Sequence, residues 1–156
     1  MLIHLTMYWD HYQRKRLILH SKCLVKCLRQ VLNLMHIHLS GLCTTGRVGL
    51  AIALKNKMGK WNCSPNVVSY SAIIDALCKG GLVEEALVLF SEMLRDSSVV
   101  PNVVVYNSLI NGLCNSGRLC ETKKLLDEMA KRRIYADQIT YNSIIHGHCH
   151  QLQHIN

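Results

Sequence analysis

The sequence predicts an all-α protein, a solenoid of stacked helix-turn-helix repeats. Three observations predict it. First, the stretch VVSYSAIIDALCKGGL, from Val67 to Leu82, nearly returns thirty-six residues later as VVVYNSLINGLCNSGR, from Val103 to Arg118. Second, the register holds beyond those strings. Tyr70, Tyr106 and Tyr141 lie 36 and 35 residues apart, and Cys78, Cys114 and Cys149 keep the same spacing, with Cys43 standing 35 residues before Cys78. Met58, Met93 and Met129 follow at 35 and 36. Third, Tyr70, Ile73, Ile74 and Leu77 fall at i, i+3, i+4 and i+7, which is one face of a helix. A helix pair of this length cannot bury its apolar stripe alone, so neighbours must stack on it.

The elements follow in chain order. Residues 1–31 form a basic N-terminal segment, either a presequence or a degenerate repeat. They are apolar and nearly acid-free but hold one serine, Ser21, which fits a transit peptide poorly. Residues 32–66 form a degenerate repeat in which Met35 stands for the tyrosine and His38 for an aliphatic residue, while GLCTTGR and Pro65-Asn66 keep the pattern. In residues 67–102 a first helix ends at Gly80 and Gly81, and glycine is the usual helix stop. Leu82, Val83, Ala86, Leu87, Leu89, Phe90 and Met93 then mark a second helix with a wide apolar stripe, its polar side held by Glu84, Glu85 and Glu92. Pro101 is expected to bar its continuation. Residues 103–137 repeat this, with Gly117 at the stop and a second helix over Leu119–Met129. Residues 138–156 carry only the first helix of a further unit, an arrangement expected of a truncated array.

Charge narrows the function classes. The net charge of +8 is unevenly spread over the 156 residues. Residues 1–31 carry +5, residues 32–66 +4, residues 67–102 −3 and residues 103–137 +2. A basic total favours a polyanionic partner, but the best-matched repeats do not supply the basicity. The longest uncharged run, residues 97–117, holds Pro101, Asn102, Asn107 and Asn111, so no membrane span or membrane partner is expected. There is no Gly-rich phosphate loop, HExxH or GxSxG, and the chain reads as a non-enzyme with no cofactor and no small-molecule substrate.

Eight cysteines raise the question of metal or disulfides. Cys43, Cys78, Cys114 and Cys149 recur at the repeat period, which points to core packing as small apolar residues. Cys23 and Cys27 have no second pair at zinc-site spacing. Of His146, His148, His150 and His154 near Cys149, His146 and His150 share a helix face, but the four do not make one ligand set, so no metal site is expected. Free thiols fit a reducing compartment.

The strings YSAIIDALCKGGLVEEALVLFSEM and YNSLINGLCNSGR resemble the pentatricopeptide repeat, a plant-rich family of helical RNA-binding proteins. The related tetratricopeptide repeat shares Ala86-x-x-x-Phe90 and Pro101, but it favours a Trp and a Leu-Gly pair early in helix one, which this chain lacks. The resemblance implies a right-handed superhelical solenoid that binds single-stranded RNA, about one base per repeat. It assigns base reading to the residue after the repeat tyrosine and the last residue of the unit. These are Ser71 with Asn102 for adenine and Asn107 with Asp137 for uracil. His36 with Asn66 is an uncommon pair to which the resemblance assigns no base here, and Asn142 has no partner in the sequence. Val68, Val104 and Ile139 would clamp bases, and Lys79 would contact phosphate, with Asn115 in its place one unit on.

Each role has a plainer rival. Asn66, Asn102 and Asp137 could be helix N-caps. Ser71 and Asn107 could be solvated polar residues, Val68, Val104 and Ile139 core, and Lys79 a partner of the helix dipole. The resemblance further implies work in organellar RNA processing, editing, stability or translation, in mitochondria or alternatively chloroplasts, with other RNA-processing proteins as partners. The competing expectations are a protein-interaction scaffold of the tetratricopeptide kind and a fragment without independent function.

Overall fold

The structure, a computed structural model, describes residues 22, 26, 29–30, 33–60 and 64–153, with backbone alone at residues 60 and 150–153. Most of the basic segment 1–31, with Cys23 and Cys27, lies outside the described residues, as does His154. The chain forms two compact units, Met1–Ile37 and His38–Asn156, so their boundary falls inside the sequence repeat 32–66. In the first unit the described residues are helical. The second is an all-α helical-repeat solenoid with no strand among its described residues. Its helices are α1 (residues 38–44, the part of the helical run 33–44 that falls in this unit), α2 (Val48–Lys60), α3 (Val67–Lys79), α4 (Val83–Arg95), α5 (Val103–Asn115), α6 (Leu119–Lys131) and α7 (Gln138–Gln153).

Local chemistry sets the helix ends. Asn66 accepts a hydrogen bond from the Ser69 amide at 3.0 Å, and Asn102 one from Val105 at 3.2 Å, so each side chain caps the helix that follows it. The turn inside each unit is closed by a glycine at positive φ: Gly46 at 74°, Gly81 at 76° and Gly117 at 72°. Just after each, Arg47, Leu82 and Arg118 donate back to the carbonyls of Leu42, Leu77 and Leu113, all at 2.9 Å. That six-residue closure needs a left-handed residue, which glycine adopts without a Cβ clash.

Pro101 is not what stops α4. The helix ends at Arg95, where Asp96 turns the chain by accepting from the Ser98 amide at 3.0 Å and its hydroxyl at 2.6 Å. An aspartate that bonds the backbone two residues on competes with helix continuation. Pro101 instead precedes the Asn102 cap of α5.

The first helices α3, α5 and α7 stack in a row, with α4 against α3 and α5, and α6 against α5 and α7. The core runs between these layers: Ile73, Ile74, Leu77, Ala86, Phe90 and Met93, then Tyr106, Leu109, Ile110, Leu113 and Met129. Each large side chain removed from water contributes about 1.5–3 kcal/mol. The Phe90 ring meets Tyr106 edge-on, with centroids 5.2 Å apart and planes at 75°. Lys55 is buried; its ammonium sits 2.6 Å from Glu92 and 5.6 Å from the centre of the Tyr70 ring. Arg118 binds Glu121 of its own repeat through Nε and Nη2, at 2.6 and 2.7 Å, while its Nη1 reaches Glu84 on α4 in the repeat before.

The row is set at its closest approach by the periodic cysteines. A Cβ added at Gly112 would lie 2.8 Å from Cys78 Sγ and 2.9 Å from its Cβ. At Gly147 it would lie 2.6 Å from the Cβ of Cys114. Cys78 and Cys114 are buried, as their recurrence predicts, and Cys43 is half-buried. Cys149 departs from that expectation and is exposed, as are Tyr141 and Ile145. Their equivalents on α5 are covered by α6 and by α7 itself, and no helix follows α7 among the described residues.

Gly112→Val should therefore lower stability by about 1–3 kcal/mol through overpacking. Gly49→Ala, where nothing lies within 4 Å of the added Cβ, should leave it unchanged or slightly raised. Urea denaturation followed by circular dichroism compares the two.

Candidate functional site

Stacking α3, α5 and α7 lines up the residues that recur at the repeat period. Val68, Val104 and Ile139 lie in the first turns of these helices and are 54%, 53% and 62% exposed, so they are not core. Ser71, Asn107 and Asn142 follow three residues later, on the same helix face. Each unit thus sets one exposed aliphatic side chain one turn ahead of one polar side chain.

The two complete polar pairs differ in geometry. At the first, the Ser71 hydroxyl donates to the Val68 carbonyl at 3.0 Å, and Asn102 Oδ1 is spent on the cap of α5. Asn102 is exposed. At the second, Asn107 is buried and donates through Nδ2 to Asp137 Oδ1 at 3.0 Å. Thr140 ties the pair together. Its hydroxyl donates to Asn107 Oδ1 at 2.5 Å, lies 3.0 Å from Asp137 Oδ1 and accepts from the Asp137 amide at 3.1 Å. The Thr140 amide donates to Asp137 Oδ1 at 3.0 Å, completing a reciprocal cap at the start of α7. Hydrogen bonds from the Thr140 amide first, then from Asn107, hold the Asp137 carboxyl below its usual range.

The sequence assigned two roles to Asn66, Asn102 and Asp137, and capping is the one the geometry realises at all three. Capping uses one oxygen of each side chain, and both Asn and Asp have further hydrogen-bonding capacity. Lys79 is exposed and paired with Asp75 at 2.6 Å, so any phosphate must share it with that carboxylate. Asn115 and Asn142 are exposed. His36 is half-buried in the first compact unit, and burial lowers its pKa. No group of three or more His, Cys, Asp or Glu side chains gathers to hold a metal among the described residues. Nor is any helix among them long and apolar enough to cross a membrane.

Sequence reasoning missed Thr140 and Lys55. The signal for Thr140 was present: a hydroxyl three residues after the last residue of the preceding unit, as at Ser69 but not at Val105. Lys55 gave none, because a lysine buried against a tyrosine ring has no local pattern.

Comparison with known proteins bears on this arrangement. The PPR repeat family matches residues 101–150, and the PPR repeat matches residues 61–94, together more than half of the chain. The chain belongs to the pentatricopeptide repeat family. No curated protein matches it. It is similar to the crystal structure of the pentatricopeptide repeat protein PPR10 from maize, with a TM-score of 0.67 at 24% identity over 75% of this chain and 17% of that one. Two structures of PPR10 in complex with an 18-nt psaJ RNA element, one of them a cysteine variant, each give a TM-score of 0.65 at 26% identity. Each covers 70% of this chain and 16% of that one. The pentatricopeptide chain described here thus spans about a sixth of the solved protein.

The thiols of this pentatricopeptide array divide by burial. Burial first, and Asp75 second, push the Cys78 thiol up to about 12, and burial also raises Cys114. Thiols so protonated are poor nucleophiles. Brief iodoacetamide treatment of the native protein at neutral pH should label Cys120 and Cys149 and spare Cys78 and Cys114 until urea is added, as read by peptide mass spectrometry. A second outcome follows from Asp137. A carboxylate with a depressed folded pKa contributes stability that is present above the unfolded value, about 3.9, and lost as pH falls through the folded value. The Thr140 amide resonance should therefore titrate below pH 4, moving with the protonation of Asp137.

Proposed function

We propose that this chain binds single-stranded RNA, reading about one base per repeat and performing no chemistry on it. The observation that carries the reading is the row itself. Three exposed aliphatic residues, Val68, Val104 and Ile139, recur at the repeat period, each one turn before a polar side chain. Exposed branched side chains in register suit an apolar contact with the faces of successive bases, while Ser, Asn and Asp beside them suit a base edge. Unstacked bases of single strands offer both surfaces. The complexes of PPR10 with an RNA element support the ligand class.

Ser71 with Asn102 reads adenine, and Asn107 with Asp137 reads uracil, in the family's correspondence. Asn142 contributes to a further position, and His36 with Asn66 to a preceding one. Lys79 exchanges Asp75 for a phosphate. In the cell the role is organellar transcript processing, editing, stability or translation, in mitochondria or chloroplasts, with other RNA-processing proteins supplying any catalysis.

Residues 67–137 grafted into a longer consensus array should bind RNAs that carry A then U at the corresponding positions. Asn107→Thr should move the second preference toward G. Equal binding of all four bases by both grafts would overturn the reading and leave the pairs as caps. Gel-shift titration over the base series decides it.

A further inference from the structure

The two base-reading pairs share a frame but differ in how firmly they are held, and the difference lies in one residue that the reading above does not use. Around Asn107 three groups close a ring. Asn107 Nδ2 donates to Asp137 Oδ1 at 3.0 Å, Asp137 Oδ1 receives the Thr140 amide at 3.0 Å, and the Thr140 hydroxyl donates to Asn107 Oδ1 at 2.5 Å. A primary amide can turn over, exchanging its donor end for its acceptor end. Here it cannot do so without pointing its oxygen at the Asp137 carboxylate and giving up the hydrogen bond that oxygen receives from the Thr140 hydroxyl. Thr140 is fully buried, so water does not replace its hydroxyl. At the other pair the equivalent residue is Val105, equally buried and without a hydroxyl, while Ser71 bonds its own helix and Asn102 caps the next.

We propose that Thr140 is a specificity-positioning residue: it fixes the Asn107 amide so that the second pair presents one defined donor and one defined acceptor to a base, a constraint the first pair lacks. This rests on the RNA reading above. With the ring closed, one Nδ2–H of Asn107 is left to donate and the second lone pair of its Oδ1 to accept. An edge that offers a carbonyl oxygen beside an N–H, as uracil and guanine do and adenine and cytosine do not, meets both at once. An amide free to turn would present either polarity and tolerate more bases. Preorganised polar groups discriminate because the wrong partner leaves them desolvated and unpaired.

The test uses the full chain and short single-stranded RNAs with adenine followed by each of the four bases, bound in NMR titrations that read weak affinities. The native chain should prefer uracil at the second base. Thr140→Val, close in size and lacking only the hydroxyl, should reduce that preference about three- to tenfold, the worth of roughly one hydrogen bond. It should leave the preference for adenine at the first base unchanged. Thr140→Ser should restore most of the uracil preference. In the free protein the Asn107 side-chain amide protons should be slow to exchange in native and Ser variants and fast in Val. A Val variant that loses affinity for all four RNAs equally, or keeps its preference, overturns the proposal and reduces Thr140 to a helix cap. A native chain with no preference at either base overturns the RNA reading, and the role of Thr140 with it.

Discussion

The close approach of successive first helices is the constraint on which the rest of the array depends. At Gly112 and Gly147 there is no room for a methyl group, because Cys78 and Cys114 occupy that space from the helix before. Small residues on both sides of the contact let the backbones come near. Because the contact recurs at the repeat period, α3, α5 and α7 advance by a constant step. Everything that recurs on those helices then forms a row, including the exposed aliphatic residues and the polar residues one turn after them. A single large side chain at one of these glycines would change the step and put the row out of register with a regularly spaced ligand.

Burial and capping share the work of holding each unit. The second helices bring Met93 and Phe90, or Leu125 and Met129, against the first, and the tyrosines 70 and 106 seal the seam. Burial chiefly, with Glu92 near one and Glu128 near the other, lifts both phenols to about 12, so they stay neutral hydrogen-bonding groups. The glycine turns at 46, 81 and 117 make the connections so short that each helix pair can only be antiparallel. The end of one unit is also the cap of the next: Asn66, Asn102 and Asp137 start α3, α5 and α7. A residue that caps a helix has a fixed side chain, and that rigidity is what a base-reading group needs.

The two pairs show how one frame can hold groups with different freedom. Ser71 and Asn102 are each satisfied by the backbone nearest to them, so neither constrains the other. Asn107 and Asp137 satisfy one another, and Thr140 closes the arrangement from the far side. The charge balance changes along with it: the unit of residues 67–102 is acidic and that of residues 103–137 basic, and the exposed Lys79 is already matched to Asp75. The two units therefore differ in net charge as well as in hydrogen bonding.

Much of this could be read from the sequence. The 35- and 36-residue spacing of Tyr, Cys, Gly and Met, with apolar residues at i, i+3, i+4 and i+7 inside each period, specified helix pairs and their stacking. It specified that Cys78 and Cys114 are core, and it located the polar pairs by register. It misjudged Pro101, whose effect on a helix is strong but was pre-empted by the Asp96 turn a few residues earlier. It also misjudged Cys149, since burial belongs to a residue's neighbours and a period says nothing of whether the neighbour is there. Only the tertiary structure decided that Val68, Val104 and Ile139 face outward, that a lysine lies buried against Tyr70, and that Thr140 binds Asn107 thirty-three residues away. Those outcomes depend on which helix faces which. Local pattern fixes an apolar stripe and a cap, but the stacking of separate helices chooses which hydroxyl meets which amide.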